Sequence, residues 1–452
     1  MPTDPSLETM VDAALRELRE QLLRELSEGP ARQGTLDEIE AVVERLGSEF
    51  RRNLQRRLLE ERLTGPRENT APCACGQHAR YRVTRERVLT TRHGEVCLPR
   101  PYYYCTACRA GFVPLDTALG LDAGNTTTQV REWSALLAAQ IDSFAQARTL
   151  LAPLTGVWVG ESTVERVAVA AGTALRQAQR EEAARHQRGW LPQPAHKPKR
   201  LYASFDGKMT PQRDPWKRDG SLGPLHCYFG ECKTAAFYEA KRGPDGRDAG
   251  VARCTYLATL GDVTLFGPLV AAQAHQCGHH WALELIILAD GAPWIGNLAA
   301  AQFPTGIQIV DFFHASEHLW AVARAGGGGD EAAARAWVHA RQAELKEDRL
   351  AAVLTAIDAW EPATAEGREL QARERHYFAA NQERMQYGTF LKRGYHIGSG
   401  VIEAACKQVV GARLDQVGMH WSAAAAEAIV TLRGAVLSSH PPDLRPYLAM
   451  AA

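Results

Sequence analysis

Between Leu36 and Leu63 the apolar residues Ile39, Val42, Val43, Leu46, Phe50, Leu54 and Leu58 recur at steps of three and four. That period follows the helical turn and predicts an amphipathic helix with arginines on its other face. Such a stripe ordinarily packs on the body of a protein, and pairing with a second copy is its other use. From Tyr81 to Leu98 the period drops to two, the alternation of strands. Helical patterns return over Thr126–Ile141 and Phe144–Leu154. A turn at Thr155–Gly160 then leads into Glu161-Ser-Thr-Val-Glu-Arg-Val, which opens another helix with capping residues in its first turn. Two helices joined by a Gly-containing turn fit either a helix-turn-helix DNA reader or a structural hairpin.

Leu191 to Arg200, LPQPAHKPKR, holds three prolines and reads as an extended linker and a domain boundary. Beyond it the pattern predicts strands at Leu201–Phe205, Leu225–Cys232, Ala235–Ala240 and Val251–Thr259, then a helix over Asp262–Gln276. Two short, largely apolar strands follow: Leu283–Ala289, ending at Asp290, and Gly306–Val310, ending at Asp311. Phe312 to Arg393 is helical and Ala-rich, interrupted at Gly326–Gly329 and Pro362, and reads as an inserted helical block. Gly398-Ser-Gly400 introduces a last helix, Val401–Leu414, with Glu403 near its start. The class is α/β.

A length of 452 residues, 45% hydrophobic and 23% charged, gives room for two to four domains. No run approaches the roughly 18 apolar residues of a membrane helix, and Met1–Ser27 is too rich in Asp, Glu and Arg for a signal peptide. A cytoplasmic protein with no membrane partner is expected. The net charge of zero argues weakly against a nucleic-acid partner. Its distribution argues the other way: Arg51–Ala110 carries thirteen arginines, no lysine and five glutamates, a net +8 balanced by −8 elsewhere. That stretch reads as a solvated helix face or as a phosphate-binding surface.

Ten cysteines change the picture further, because four fall in two tight pairs, Cys73-Ala-Cys75 and Cys105-Thr-Ala-Cys108. Tight pairs in a cytosolic chain point to metal rather than disulfides. Separated by a hairpin-sized spacer, four thiolates can reach the corners of a tetrahedron, the closed coordination of structural Zn2+. The set therefore reads as a zinc ribbon, with reduced, metal-free thiols as the other reading. Arg80, Arg82, Arg85 and Arg87, on the intervening strands, are candidates to face DNA. The six scattered cysteines read as small buried apolar residues.

The stretch LYASFDGKM, Leu201–Met209, runs from apolar and small residues into an acid, Asp206. A carboxylate at the end of a buried strand is costly unless a cation or a proton meets it. Asp290 stands in the same relation to a later strand, and Glu403 lies near the start of the last helix. Each has an ordinary explanation as a helix cap or a favourable first-turn acid. Together, in the order strand acid, strand acid, helix acid, they can hold two divalent cations about 4 Å apart for metal-assisted phosphoryl transfer.

ASFDGKM around Asp206, LADGAPWIGNLA around Asp290, IVDFFHASEHLW and GSGVIEAACKQVVGARLDQVGMHWS around Glu403 occur in a fixed order. In these motifs the chain resembles the DDE transposases of bacterial insertion sequences, of the ISKra type, relatives of Mutator-like elements. The resemblance implies an RNase H-like catalytic core with a helical insertion, preceded by a helical and zinc-ribbon DNA-binding region. It implies Asp206, Asp290 and Glu403 as catalytic residues holding two Mg2+ or Mn2+ ions. It also implies a D-x-x-H signature, matched by Asp311 and His314, which would place His314 near the site on the scissile phosphate or a flipped base; a buried structural role is its other reading. Trp421, in Gly418-Met-His-Trp421, is then a core or a DNA-stacking residue. Lys208 and Arg413 are candidates for substrate phosphates, with solvated side chains as the alternative.

The expected organisation is a helical region at 1–70, a zinc ribbon-like domain at 71–120, a helix-turn-helix-like domain at 121–190, a linker at 191–200 and a catalytic domain at 201–452 with an insertion at about 315–395. The implied function is a transposase of a mobile element. It binds terminal inverted repeats and target DNA, cuts and rejoins strands, and self-associates in the active complex, nucleoid-associated when DNA-bound. Two rivals belong to other classes. His314-Ala-Ser-Glu317-His318 is H-x-x-E-H, the inverted pattern of zinc metallopeptidases. A zinc-ribbon DNA-binding protein without catalysis is the second.

Overall fold

The computed structural model describes residues 5–28, 34–63, 68–122, 124–214, 226–326, 330–362 and 364–449. The glycine run after Gly326 and the expected strand start at Leu225 lie outside them. The protein is mixed α/β. The chain divides into two units, Met1–Val167 with Leu448–Ala452, and Ala168–Tyr447; the division falls inside the helix Glu161–Gln187. No helix among the described residues is long and apolar enough to cross a membrane.

In the first unit the helices Pro5–Glu28 and Leu36–Leu63 pack together. Ion pairs join Arg57 to Glu17 at 3.1 Å and Arg45 to Glu25. The expected apolar stripe is only partly used: Val42 and Leu46 are buried, whereas Ile39, Val43 and Leu58 are exposed. Four antiparallel strands follow, in spatial order β1 (Thr70–Pro72), β2 (His78–Thr91), β3 (Gly94–Tyr104) and β4 (Gly111–Phe112). Their core near the cysteines is small, with Ala71, Ala79, Tyr103 and Cys105 buried and Tyr81 and Phe112 packed on them. The helices Pro114–Ala118, Thr128–Gln140 and Phe144–Thr155 follow, with Ser143 capping the last, and the unit ends in the first turns of Glu161–Gln187.

The second unit is built on a six-stranded mixed sheet. It comprises β5 (Arg200–Arg213), β6 (Cys227–Arg242), β7 (Asp248–Leu260), β8 (Glu284–Ala289), β9 (Ile307–Val310) and the short β10 (Trp421–Ser422). The order is β7-β6-β5-β8-β9, and β10 pairs with the outer end of β5. β5, β6 and β7 form an antiparallel meander, while β8 and β9 run parallel to β5. β5 therefore has neighbours on both sides and is buried from Leu201 to Phe205. The period of two divides its side chains between two cores. Leu201, Ala203 and Phe205 meet Phe266 and Phe303 beside the helices Val263–Gln276 and Pro293–Gln302. Tyr202, on the other face, joins Ile286, Leu288 and Ile309 under the helical block that begins at Phe312.

Three strand and helix boundaries differ from the sequence expectation. β5 continues to Arg213, so Asp206 lies within a strand and not after one; the apolar run stops at Phe205 because the later residues pair with β6 beyond the covered part of the sheet. The two strands expected around Cys232 and Ala235 are one, β6, because the buried Lys233 and Thr234 broke the apolar pattern without breaking the ladder. The last helix is a composite: α at Gly400–Ala405, π at Cys406–Gly411 and α again at Ala412–Leu414. Gly172 in the Glu161–Gln187 helix lets the helix Ala423–Val436 come close, since a Cβ there would stand 2.0 Å from the Ala428 carbonyl oxygen.

Candidate functional site

Phe205 of β5 is paired with Ala289 of β8, so Asp206, within β5, and Asp290, just past the end of β8, stand at the same level of two adjacent parallel strands. Asp206 is also paired, on its other side, with Thr234 of β6. Glu403 projects from the Gly400–Ala405 helix, which packs on β5 and β6. The three acids share a local field. Burial, the largest cause, raises the proton affinity of the Asp206 carboxyl, and the charges of Asp290 and Glu403 raise it further. The backbone N–H of Gly207, 2.7 Å from Oδ1, and the Cys406 thiol pull the other way. That thiol stays protonated, pushed up to about 12 by burial and by the Asp206 charge, so it acts as a donor to the carboxylate.

Neither Asp290 nor Glu403 is without support. Asp290 Oδ1 accepts from Ala292 N at 2.9 Å, a local turn before the helix Pro293–Gln302; that helix begins at Ala292 without a side-chain cap, so Asp290 is not its cap. The Ser399 hydroxyl donates its one hydrogen chiefly to Asp311 Oδ2, and its oxygen lies 3.3 Å from Glu403 Oε1. Asp311 is buried, and its other oxygen accepts from Phe313 N at 2.8 Å. Ser399 thus couples the D-x-x-H segment to Glu403. Among the described residues, two groups of three or more His, Cys, Asp or Glu side chains bring one ligand atom each within 4.8 Å of all the others. These are the four paired cysteines and a histidine trio; the Asp206, Asp290 and Glu403 set is more open than that.

The H-x-x-E-H segment lies on the helix Phe312–Gly326. His314 and His318 present Nε2 atoms 3.3 Å apart. His318 Nδ1 bonds the buried Glu374, which Arg373 also holds at 2.7 Å, and the Tyr377 ring stacks on His318 at 3.7 Å. Glu317 is turned to solvent and pairs with His314 Nδ1 at 3.3 Å. The pair does not belong to either three-ligand group. A peptidase zinc needs that third ligand.

Lys208 pairs with Asp415 at 2.8 Å. Arg413 is buried at 1% exposure and lies over the Trp421 ring, 4.9 Å from its centroid. It is neither solvated nor on the surface, so direct phosphate contact is not its role in this conformation. Trp421 is buried as well, which gives its ring a packing role and removes it from the surface where a base would stack.

In the first unit Cys73 Sγ and Cys108 Sγ are 3.5 Å apart, and Cys75 Sγ and Cys105 Sγ 3.7 Å. Zinc–sulfur bonds of about 2.3 Å in a tetrahedron set sulfurs about 3.8 Å apart, so the cluster fits a metal such as zinc. Both pairs end in the same way, with the next residue in the left-handed region: Gly76 at φ 83° and Arg109 at φ 57°. The Cys105 thiol is lowered to about 7, first by the Cys108 N–H and then by that of Ala107, which favours the thiolate that a metal needs. The CxC spacing is one residue short of the commoner pair, and the sulfurs still converge.

Arg80, Arg82 and Arg85 are exposed on β2. Arg85 lies over the Tyr102 ring at 3.6 Å and Arg82 over Tyr104 at 5.6 Å. Arg87 is set apart from them, turned to Asp116 at 3.6 Å and to the carbonyls of Asp122 and Gly124. Three exposed cations, two of them over tyrosine rings, form a surface suited to phosphate, whereas Arg87 is held by Asp116 and two backbone carbonyls.

Sequence reasoning missed Ser399 and Cys406. Cys406 follows Glu403 by three residues, one helical step on the same face, and that spacing was its available signal. Ser399 had none beyond its place between two glycines. Of the scattered cysteines, Cys232, Cys254 and Cys406 are buried as expected, whereas Cys97 and Cys227 are exposed.

No protein-family model matches the chain, and no curated protein matches it.

Proposed function

We propose that this protein is a DNA transposase of the DDE type, which binds the ends of a mobile element and catalyses metal-dependent strand cleavage and strand transfer. The observation that carries the reading is the placement of three acids from distant parts of the chain: Asp206 and Asp290 directly follow the paired residues Phe205 and Ala289 on adjacent parallel strands, and the helix bearing Glu403 packs on β5 and β6. An antiparallel meander extended by two parallel strands, with acids on its central and neighbouring strands and a late helical acid, supports an RNase H-like core. Structural acids avoid one another; acids that hold cations do not.

Asp206, Asp290 and Glu403 would hold two Mg2+ or Mn2+ ions, which supply polarisation of the phosphodiester and a nucleophilic oxygen at neutral pH. The chain's own part is to hold these carboxylates in position. Gly207 N–H and the Cys406 thiol hold Asp206, Ala292 N–H holds Asp290, and Ser399 stands beside Glu403. The four-cysteine zinc ribbon and the Arg80, Arg82 and Arg85 surface would contact DNA phosphates, and the segment around Glu161 would contribute base contacts. Two element ends must be held together, so self-association belongs to the active complex.

The test is an oligonucleotide carrying the repeat that flanks the gene, incubated with the full chain in Mg2+ or in EDTA. A nick leaving a 3′-hydroxyl at the element end is expected with Mg2+ alone and not with Asp206→Asn. Full activity of Asp206→Asn, or zinc-dependent peptide hydrolysis by the wild type, would overturn the reading.

A further inference from the structure

Three histidines from separate segments meet in the second unit, away from the chemistry described above. His186 is in the last turn of the Glu161–Gln187 helix, His275 in the last turn of Val263–Gln276, and His280 in the short 3-10 turn His279–Trp281. One ring nitrogen of each lies within 4.8 Å of those of the other two. The rings do not stack: His275 meets His186 at 63° and His280 at 73°.

The tautomer of His275 follows from its partner. Its Nε2 is 2.9 Å from the Pro192 carbonyl oxygen, which accepts only, so Nε2 carries the hydrogen and Nδ1 the lone pair. A metal-binding imidazole is commonly held in this way, one nitrogen donating to a carbonyl and the other left open. The turn presenting His280 depends on Gly278, at φ +82°, where a Cβ would stand 2.7 Å from Pro198 Cδ and 2.8 Å from the His196 carbonyl oxygen. Only glycine satisfies both demands.

We propose that His186, His275 and His280 bind one first-row transition cation of the zinc class, with a water or other exchangeable ligand in the fourth position. Tetrahedral coordination at about 2.0–2.1 Å sets nitrogens roughly 3.3 Å apart, within small side-chain movements of the present spacing. Neutral imidazoles suit zinc, nickel or copper and disfavour Mg2+ and Ca2+, which take oxygen ligands. The site is thus chemically separate from the carboxylates and from the four sulfurs. Bound metal would tie the end of the Glu161–Gln187 helix to the Val263–Gln276 helix, whose His275 already contacts Pro192 in the segment that leads into β5.

The full chain is equilibrated with zinc, desalted and analysed for metal, beside His280→Gln, His186→Asn and Cys105→Ser. His280 is exposed, so His280→Gln is expected to keep the wild-type circular dichroism. Each histidine variant is expected to hold one zinc per chain fewer than the wild type. With Co2+ in place of zinc, the histidine variants are expected to lose one cobalt while keeping the sulfur-to-cobalt charge-transfer band, which Cys105→Ser loses. Equal zinc content in the wild type, His280→Gln and His186→Asn overturns the proposal, as does loss of the sulfur band with the histidines.

Discussion

Asp206 and Asp290 each directly follow one member of a backbone-paired couple, Phe205 and Ala289, on neighbouring parallel strands. The pairing sets two carboxylates at the same level of two interior strands, and the helix bearing Glu403 packs on β5 and β6 beside them. After burial, the charges of Asp290 and Glu403 add to the raised proton affinity of Asp206.

Asp206→Asn is expected to lose strand cleavage by at least about 10²–10³-fold, the scale on which single electrostatic elements of active sites act. Without divalent cations at pH 7 the same variant is expected to be more stable than the wild type, by roughly 1–4 °C in melting temperature. Asp206 has a raised carboxyl value, so its protonation favours the folded chain. That contribution is fully present below the ordinary range near about 3.9 and is lost as pH rises through the raised value. The variant's advantage should therefore shrink on acidification, and Mg2+ should stabilise only the wild type. Thermal melts at several pH values, with and without Mg2+, check both; a less stable variant at neutral pH would contradict the account.

Cys105→Ser is expected to cost the first unit one zinc and the order of its four-stranded sheet. The cluster of Ala71, Ala79, Tyr103 and Cys105 is a small core, and structural metal supplies the folding energy that such a core lacks. Metal analysis together with proteolysis of the 68–113 region measures this. Unchanged protease resistance with the metal gone would show that the sheet stands alone.

Ser399→Ala removes the hydroxyl that Asp311 and Glu403 share. Asp311 is buried, so the loss is expected to destabilise the chain by about 1–3 kcal/mol in urea unfolding. In the cleavage assay kcat should fall more than KM rises, because a displaced Glu403 still lets DNA bind. Ser399→Thr should restore part of the rate; a KM effect alone would place Ser399 outside the site.

Glu374→Ala leaves His318 without the carboxylate on its Nδ1. The expected cost is about 2–3 kcal/mol, below that of a wholly enclosed pair because Arg373 remains largely in solvent. Burial raises the Glu374 carboxyl, but His318 and Arg373 outweigh it and leave the value below the ordinary one. This contribution is present at neutral pH and is lost as pH falls through the lowered value. Urea midpoints at pH 7 and in acid should converge between variant and wild type; equal midpoints at pH 7 would refute the role.

The sequence by itself determined the elements whose pattern is local. The Leu36–Leu63 helix and the strands before Asp290 and Asp311 follow from periodicity that acts within a few residues. The cysteine pairs were legible because metal ligands recur at short spacings. What only the tertiary structure decided is register and burial across long separations. Asp206 sits inside a strand because β6 pairs past it, and Arg413 and Trp421 are enclosed because the composite helix and β10 fold back onto β5. The shared hydroxyl of Ser399 and the meeting of His186 with His275 and His280 likewise depend on helices far apart in the chain, and periodicity carries no information about which surfaces such helices bring together.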